Sequence, residues 1–368
     1  MITLGHRRSR GSGLVALAGV LAVITAACGG GTTATPATTS STTSTVVDVA
    51  SAACSSDRPA GPLDQIKVTV AGTERTALVH LPATATVAPA EPRPVVLSFH
   101  GFSGSASLLA ATDGLAAEAD EEGFVTVHPE GLPVGLNDQV AGASGWDTDK
   151  SEVDEGAFVA ALLDELGAQT CIDPSRVYAT GFSAGGYIAL LMACALPERI
   201  AAVATVAAAY QSAECPPADR AIPTLAFHGL DDIVTPFDGR RSDQAGTFVP
   251  VADALEAAAA RNGCAGTPEV AAVTPTVESV RWTRCAAPTV LYRLEKHGHA
   301  WPGHPLPVTE DILTTVLAGN ATQPANPLPL AIGETPASMA QNVLLTNLDI
   351  DATSLIWDFF AALPGRPG

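Results

Sequence analysis

The 368-residue sequence has few charged and few aromatic side chains, and its charges are mostly of one sign. Charged residues make up 15% of the chain, and 38 acidic residues against 19 basic ones give a formal net charge of -19. An acidic surface repels the phosphate backbone, so the composition argues against a nucleic-acid-binding protein. The 47% of hydrophobic residues suits a buried core and excludes a wholly disordered chain.

The apolar run Leu14–Ile24 near the start is too short for a transmembrane helix, which needs roughly 20 residues. It follows a basic segment and precedes small residues, as in an export signal, so residues 1–27 are predicted to be a signal peptide. Cys28 then stands where a bacterial lipoprotein carries its lipid, although Thr25 occupies a position that usually holds Leu. We expect lipidated Cys28 to anchor the exported protein to the outer face of the cell membrane. An ordinary cleaved signal with an incidental cysteine is the alternative.

Small and polar residues dominate the segment after Cys28. Gly, Thr, Ser and Ala offer little apolar surface to bury, so residues 28–53 are predicted to form a flexible tether. Residues 54–368 are predicted to form the folded domain. The oligomeric state cannot be inferred from these features.

The seven cysteines contain no Cys-x-x-Cys pair and no Cys/His pair with zinc-ligand spacing, so no metal site is expected. Setting Cys28 aside leaves an even number, which favours three disulfides in an exported chain. Six cysteines allow many connectivities, and the pattern alone does not choose among them. Short-loop closure suggests the pairs Cys194–Cys215 and Cys264–Cys285, which leaves Cys54–Cys171.

Strand-like and helix-like segments alternate along the folded domain, which predicts an α/β fold with a mostly parallel sheet covered on both faces. The predicted strands are Ile66–Val70, Thr76–Leu81, Val95–Phe99, Phe124–Val127, Val177–Thr180, Ala201–Val206, Leu225–Phe227 and Thr289–Leu294. The predicted helices are Leu108–Glu121, Asp154–Leu166, Ala184–Leu196, Val251–Arg261 and Leu355–Leu363. Pro302–Pro336 is rich in Pro and turn residues and is expected to be a surface excursion.

The segment Gly181–Gly185 has the G-x-S-x-G pattern of a nucleophile elbow, with Ser183 at its centre. The motif alone is weak. Here a predicted strand ends just before it and an apolar helix begins just after it, which is the context that the elbow requires. The helix N-terminus would also stabilise negative charge next to the serine. We therefore predict that Ser183 is a nucleophile rather than a capping residue.

A serine hydroxyl needs a base to take its proton, and in folds with such an elbow the acid and then the histidine follow the serine in the chain. The candidate bases after the last predicted strand are His297, His299 and His304. The candidate acids are Asp231, Asp232 and, less favoured, Asp238. His228 is interpreted as a turn residue because Gly229 follows it.

Acyl transfer also requires two backbone N–H groups that face the developing oxyanion. Ala184 follows the nucleophile and is the first predicted donor, and Phe102, after the strand Val95–Phe99, is the second. Trp146 and Trp301 are candidates for the wall of an acyl pocket. Ordinary packing is the alternative for Trp146, and a brace beside the base is the favoured alternative for Trp301.

Four segments together resemble the secreted poly(3-hydroxybutyrate) depolymerase-like and feruloyl esterase-like branch of the α/β-hydrolases. These segments are Ser98–Phe102, Asp173–Gly186, Phe227–Asp232 and Gly298–Gly303. The resemblance implies an α/β-hydrolase fold, with Ser183 as the nucleophile, Asp232 rather than Asp231 as the acid, and His299 as the base. The region Leu306–Thr346 is longer than the resemblance leads us to expect.

These features predict a secreted serine esterase that hydrolyses short-chain, polyhydroxyalkanoate-type or phenolic (feruloyl) esters through an acyl-enzyme, with no cofactor. A lipase, cutinase, acyltransferase or peptidase could use the same fold. The sequence shows no long apolar lid helix, which counts against a triglyceride lipase. A non-catalytic surface-binding protein is disfavoured because the sequence holds all three residue types of the triad.

Overall fold

The computed structural model describes residue 54 and residues 64–82, 91–134, 143–148, 153–212, 220–242, 246–306 and 335–366. The predicted signal peptide, the lipidation site at Cys28 and the whole predicted tether lie outside the described residues. So does Cys215, and so does most of the predicted surface excursion.

The centre of the fold is a ten-stranded sheet of order β1-β2-β4-β3-β7-β8-β9-β14-β13-β12. Its six middle strands run parallel, and an antiparallel pair lies at each edge. Two short ribbons, β5–β6 and β10–β11, lie outside this sheet. The described strands are β1 Gln65–Val70, β2 Thr73–His80, β3 Arg93–Phe99, β4 Val125–Pro129, β5 Leu132–Val134, β6 Ala143–Gly145, β7 Ile172–Phe182, β8 Ala202–Val206, β9 Thr224–Gly229, β10 Arg240–Ser242, β11 Gly246–Phe248, β12 Glu269–Thr274, β13 Val277–Arg281 and β14 Thr289–Leu294.

Helices cover both faces of the sheet and enclose two hydrophobic cores. The described helices are α1 Ala106–Ala110, α2 Leu115–Glu122, α3 Glu155–Gln169, α4 Ala184–Ala195, α5 Val251–Arg261, α6 Pro336–Leu344 and α7 Ala352–Ala361. The helices α3, α4 and α5 pack into one core, and α1, α2 and α7 pack into the other. In β3, Val95 and Leu97 face the first core and Val96 faces the second, because successive side chains of a strand alternate. The predicted α/β architecture is confirmed.

One predicted helix is broken in two. The sequence predicts a continuous helix over Leu108–Glu121, but α1 ends at Ala110 and α2 begins at Leu115. Gly114 adopts a left-handed backbone conformation at φ 71°, and a Cβ atom there would lie 2.1 Å from the ring of His304. Asp113 turns its carboxylate inward and accepts a hydrogen bond from buried Ser98. These tertiary contacts override the local helical pattern.

The sequence analysis did not predict the β12–β13 hairpin or helix α6. Helix α6 begins with a capping box, in which Thr335 accepts a hydrogen bond from the Ser338 backbone and the Ser338 side chain bonds back to it. Pro336 at its first turn has a favourable backbone angle for a helix start. Among the described residues, no helix is long and apolar enough to cross a membrane.

Two disulfides lie within the described residues, Cys54–Cys171 and Cys264–Cys285, and both pairs are those that the sequence analysis expected. Cys54–Cys171 joins positions 117 residues apart and ties the start of the folded domain to the beginning of β7. Cys194 on α4 is also disulfide-bonded. Its predicted partner, Cys215, lies outside the described residues.

Candidate active site

Ser183 lies in the sharp turn between β7 and α4, and only 8% of the residue is exposed. Its backbone has φ 57° and ψ -121°, a conformation that non-glycine residues rarely adopt. Such a conformation costs about 1–3 kcal/mol and persists only where the surrounding fold enforces it. The Ser183 N–H donates to the Val206 carbonyl at 2.9 Å, so β8 contributes to that enforcement.

The positions on each side of Ser183 require glycine because there is no space for a Cβ atom. A Cβ atom on Gly185 would lie 1.9 Å from the carbonyl oxygen of Phe99 in β3. A Cβ atom on Gly181 would lie 2.3 Å from the carbonyl oxygen of Gly185. The turn therefore brings backbone against backbone, and the small residues of the motif are required by this contact.

Asp232 follows β9 and is almost wholly buried. Its Oδ1 accepts the backbone N–H groups of Val234 and Thr235 at 2.8 and 2.9 Å. Its Oδ2 accepts the Thr235 hydroxyl at 2.9 Å and Nδ1–H of His299 at 2.8 Å. Burial acts to raise the pKa of this carboxyl, but His299 and the hydrogen bonds outweigh burial and lower the pKa. The carboxylate is therefore ionised beside the imidazole.

The other two candidate acids lie elsewhere. Asp231 is exposed, and its Oδ2 accepts the backbone N–H of Lys296 at 2.8 Å, so it joins two loops rather than orienting a histidine. Asp238 is exposed as well. Of the three, the structure places Asp232 against the imidazole of His299.

His299 follows β14, the parallel neighbour of β9, so its loop lies beside the loop of Asp232. With Nδ1 bonded to Asp232, Nε2 is the nitrogen left to exchange a proton. Ser183 and His299 line the same cavity. No hydrogen bond joins the Ser183 hydroxyl to His299 within the described residues. In free hydrolases this contact is often long and tightens when substrate binds.

The two other candidate bases have different partners. His297 donates from Nε2 to the Ala300 carbonyl at 3.1 Å and accepts the Asn347 N–H at Nδ1 at 2.9 Å. Burial lowers the pKa of His297 to about 4, so its ring is neutral and both nitrogens are engaged. His304 lies in the cavity wall and bonds Asp351 at 3.1 Å, and that hydrogen bond raises its pKa.

His228 is not the turn residue that the sequence analysis expected. It is buried within β9, and its Nε2 donates to the Thr235 carbonyl at 2.7 Å. The same nitrogen lies 3.7 Å from Oδ2 of Asp232. Burial lowers the pKa of His228, which keeps the ring neutral next to the carboxylate. The interpretation was wrong because the strand runs two residues further than its apolar run.

Phe102 and Ala184 are the predicted oxyanion donors. Ala184 is the first residue of α4, and Phe102 lines the cavity. The loop of Phe102 is held by His100, whose Nδ1 donates to the Gly101 carbonyl at 2.8 Å. A Cβ atom on Gly101 would lie 3.3 Å from the Ser183 Cβ atom, so this loop packs directly against the serine. Within the described residues, neither predicted N–H donates to another group.

The cavity beside Ser183 has a volume of about 200 Å³ and is walled mainly by apolar side chains. The apolar lining includes Leu108, Leu109, Phe182, Trp301, Met339 and Val343. Trp301 lines this cavity, and its Nε1–H donates to Thr353 Oγ1 at 2.9 Å, a contact that fits the favoured alternative of a brace. Trp146 is not among the residues that line the cavity. Its Nε1–H donates to the His100 carbonyl at 2.7 Å, so it supports the loop that carries Phe102.

Two residues at the site have no role in the sequence-based prediction, Thr235 and Asn342, and a third, His228, was misinterpreted as a turn residue. Thr235 could have been found, because a threonine three residues after an aspartate often closes a local turn. Asn342 had no such signal, since its hydrogen-bond partner Ile233 lies 109 residues away in the chain. Within the described part of the chain, no cluster of three or more acidic, histidine or cysteine side chains could hold a metal ion.

The family model for putative esterases matches residues 69–259. Putative esterase NocK from Nocardia uniformis subsp. tsuyamanensis is 32% identical over 270 residues, which are 66% of this chain and 74% of NocK. This chain belongs to the putative esterase family. The esterase therefore has the α/β-hydrolase fold and is an enzyme, a carboxylic ester hydrolase.

More specialised relatives match a smaller part of their own length. Feruloyl esterase B from Piromyces equi is 29% identical over 189 residues, which are 48% of this chain and 34% of that protein. This esterase thus spans about a third of the feruloyl esterase that it matches. An S-formylglutathione hydrolase from Agrobacterium tumefaciens is 20% identical, with a TM-score of 0.43, over 64% of this chain and 87% of that one.

Proposed function

We propose that the esterase is a serine hydrolase in which Ser183 is the nucleophile, His299 the base and Asp232 the acid. The observation that carries the proposal is the His299 imidazole, which bonds a buried carboxylate at 2.8 Å and shares a cavity with a serine in a strained turn. The N–H groups of Phe102 and Ala184 serve as the oxyanion hole.

In the acylation step, His299 Nε2 takes the proton of the Ser183 hydroxyl while Oγ attacks the ester carbonyl carbon. The carbonyl oxygen becomes an oxyanion and accepts hydrogen bonds from the N–H groups of Phe102 and Ala184. His299 then gives its proton to the leaving alcohol, and the acyl group remains on Ser183. A water molecule, deprotonated by His299, attacks the acyl-enzyme carbonyl carbon. The bond to Ser183 Oγ then breaks, His299 returns the proton to Oγ, and the acid is released. Asp232 keeps the proton of His299 on Nδ1 and stabilises the imidazolium ion.

For the substrate we propose esters with short or phenolic acyl groups. A cavity of about 200 Å³ with apolar walls suits a short acyl chain or a single aromatic ring better than a long fatty acyl chain. The names of relatives support the same substrate class. They include feruloyl esterases and a bifunctional acetylxylan esterase/xylanase from Neocallimastix patriciarum. Polyhydroxyalkanoate-type oligomers belong in the same substrate panel.

The experiment that tests the reaction measures specificity constants for p-nitrophenyl esters from acetate to palmitate, with methyl ferulate and hydroxybutyrate oligomers alongside. Activity should peak at short acyl chains or at ferulate. A steady rise toward palmitate would indicate a lipase, since each buried methylene contributes about 0.8 kcal/mol. Ser183→Ala and His299→Ala should each remove nearly all activity, and the double variant should lose little more, because triad members act as a unit. Full turnover by folded Ser183→Ala would rule out the mechanism.

We also propose that the esterase is exported and anchored through a lipid on Cys28. The disulfides in the folded domain support export, because such bonds form in oxidising compartments. Metabolic labelling with a fatty acid should mark the wild-type protein, and Cys28→Ser should abolish the label and release the protein from the membrane. A Cys28→Ser protein that stays membrane-bound would refute the anchor.

A further inference from the structure

One buried amide on α6 contacts both loops that carry the proposed acid and base. The side chain of Asn342 accepts the backbone N–H of His299 at 3.0 Å and the backbone N–H of Ile233 at 3.2 Å, both at Oδ1. Its Nδ2 donates to the carbonyl of Asp231 at 2.7 Å. Only 7% of Asn342 is exposed, so water does not compete freely for these bonds.

The partners of this amide determine what it holds in place. Asp231 and Ile233 are the residues on either side of Asp232, and His299 is bonded through its own backbone nitrogen. The amide therefore joins the chain on both sides of the acid to the chain at the base. One end of the amide accepts two backbone N–H groups and the other end donates to a carbonyl, so the first end is the oxygen Oδ1 and the second is the nitrogen Nδ2. An aspartate could accept the same two bonds, but as a carboxylate it could not donate to Asp231.

The loop of the base packs directly on α6. A Cβ atom on Gly298 would lie 2.1 Å from the backbone carbonyl oxygen of Asn342, and the Gly298 N–H donates to the Leu345 carbonyl at 2.8 Å. On the same helix, Met339 and Val343 line the cavity beside Ser183. A single short helix thus contacts the substrate cavity and both loops of the triad.

We infer that Asn342 is a positioning residue, which sets the relative placement of Asp232 and His299 by bonding their backbones to one rigid amide. The inference rests on the proposed triad. Asn342 does not touch the reacting atoms, so its effect on rate passes through the imidazole. Loss of the amide would let the two loops shift independently, and a displacement of about 1 Å in a catalytic group can cost 100-fold in rate.

The test compares Asn342→Ala and Asn342→Asp with Gln341→Ala, an exposed neighbour on the same helix. Asn342→Ala should lower kcat by about 100-fold with little change in KM, and should slow fluorophosphonate labelling of Ser183 in parallel. Gln341→Ala should stay within about twofold of wild type in both measurements, because it removes an exposed amide that makes none of these contacts.

Asn342→Asp adds a readout in the pH profile, because it places a charge beside the loop of the base and removes only the bond donated to Asp231. The imidazole of His299 is faced by ionised Asp232 and by the neutral rings of His228 and His297. A new carboxylate at position 342 favours the protonated imidazole, so the acidic limb of kcat/KM should move to higher pH. Asn342→Asp keeps the shape of the side chain, so it still tests the inference about Asn342 if Asn342→Ala does not fold.

Unchanged kcat and labelling in folded Asn342→Ala, or an unmoved acidic limb in Asn342→Asp, would overturn the inference. Failure of the proposed triad has a different signature. In that case Ser183→Ala would retain activity, or the wild-type protein would not be labelled at Ser183.

Discussion

Replacement of Asp232 by Asn should disable the base by reversing its tautomer. Oδ1 of Asp232 accepts two backbone N–H groups, so an asparagine would keep its carbonyl oxygen at that position. Its NH₂ group would then occupy the position of Oδ2, facing Nδ1 of His299. An NH₂ group can only donate there, so the ring proton of His299 would move to Nε2. A protonated Nε2 cannot take the proton of Ser183.

The loss should be about 10⁴-fold in kcat, as expected when a triad keeps its geometry but holds the wrong tautomer. That factor corresponds to about 5 kcal/mol of lost transition-state stabilisation. The measurement is hydrolysis of p-nitrophenyl butyrate, with the thermal transition recorded for each variant to show that it is folded.

Asp231→Asn is the matched control, because it makes the same chemical change at the adjacent residue. The Asp231 side chain bonds only the Lys296 backbone N–H in the described residues, and an asparagine oxygen can accept that bond. Activity should therefore stay within a few-fold of wild type. A large loss in Asp231→Asn with little loss in Asp232→Asn would show that the acid has been assigned to the wrong residue.

Three further predictions concern stability and specificity. The pKa of His297 is about 4 in the folded protein and 6.5 when unperturbed. Between these two pH values the unfolded chain therefore binds a proton that the folded protein does not bind. The free energy of unfolding should fall by up to about 3 kcal/mol as the pH drops from about 6.5 toward 4. Urea unfolding across this range should show a smaller drop in His297→Gln, and an equal drop would contradict the reasoning. Replacing Cys264 and Cys285 together by alanine should cost about 3 kcal/mol in the same assay, and no change would mean that this bridge contributes little. Met339→Ala should enlarge the cavity and move the optimum of the ester series toward longer acyl chains, whereas an unmoved optimum would place the acyl group elsewhere.

Much of the fold could be predicted from short stretches of sequence, because parallel strands that are buried on both faces appear as continuous apolar runs. Val251–Arg261 and Thr289–Leu294 have the predicted bounds, since each is an apolar segment between clear turn residues. The helix expected over Leu108–Glu121 was wrong because its break depends on a ring that packs against Gly114 from nearly 200 residues further along the chain. Local patterning contains no information about such a distant contact.

The candidate site likewise combines features that the sequence predicts with features that only the tertiary structure shows. The sequence by itself determined the elbow around Ser183, because the motif, the strand before it and the apolar helix after it are contiguous in the chain. The contact that requires Gly185 is with Phe99 of β3, so only the tertiary structure shows that steric reason. The sequence also placed the acid and the base after two particular strands, from their order in the chain. The residue pattern left Asp231 and Asp232 open and the family resemblance favoured Asp232. The tertiary structure shows Asp232 against His299 and Asp231 against Lys296, because adjacent side chains in a loop point in different directions. The contacts of Asn342 likewise join chain segments more than 40 and 100 residues apart, so packing alone could reveal them.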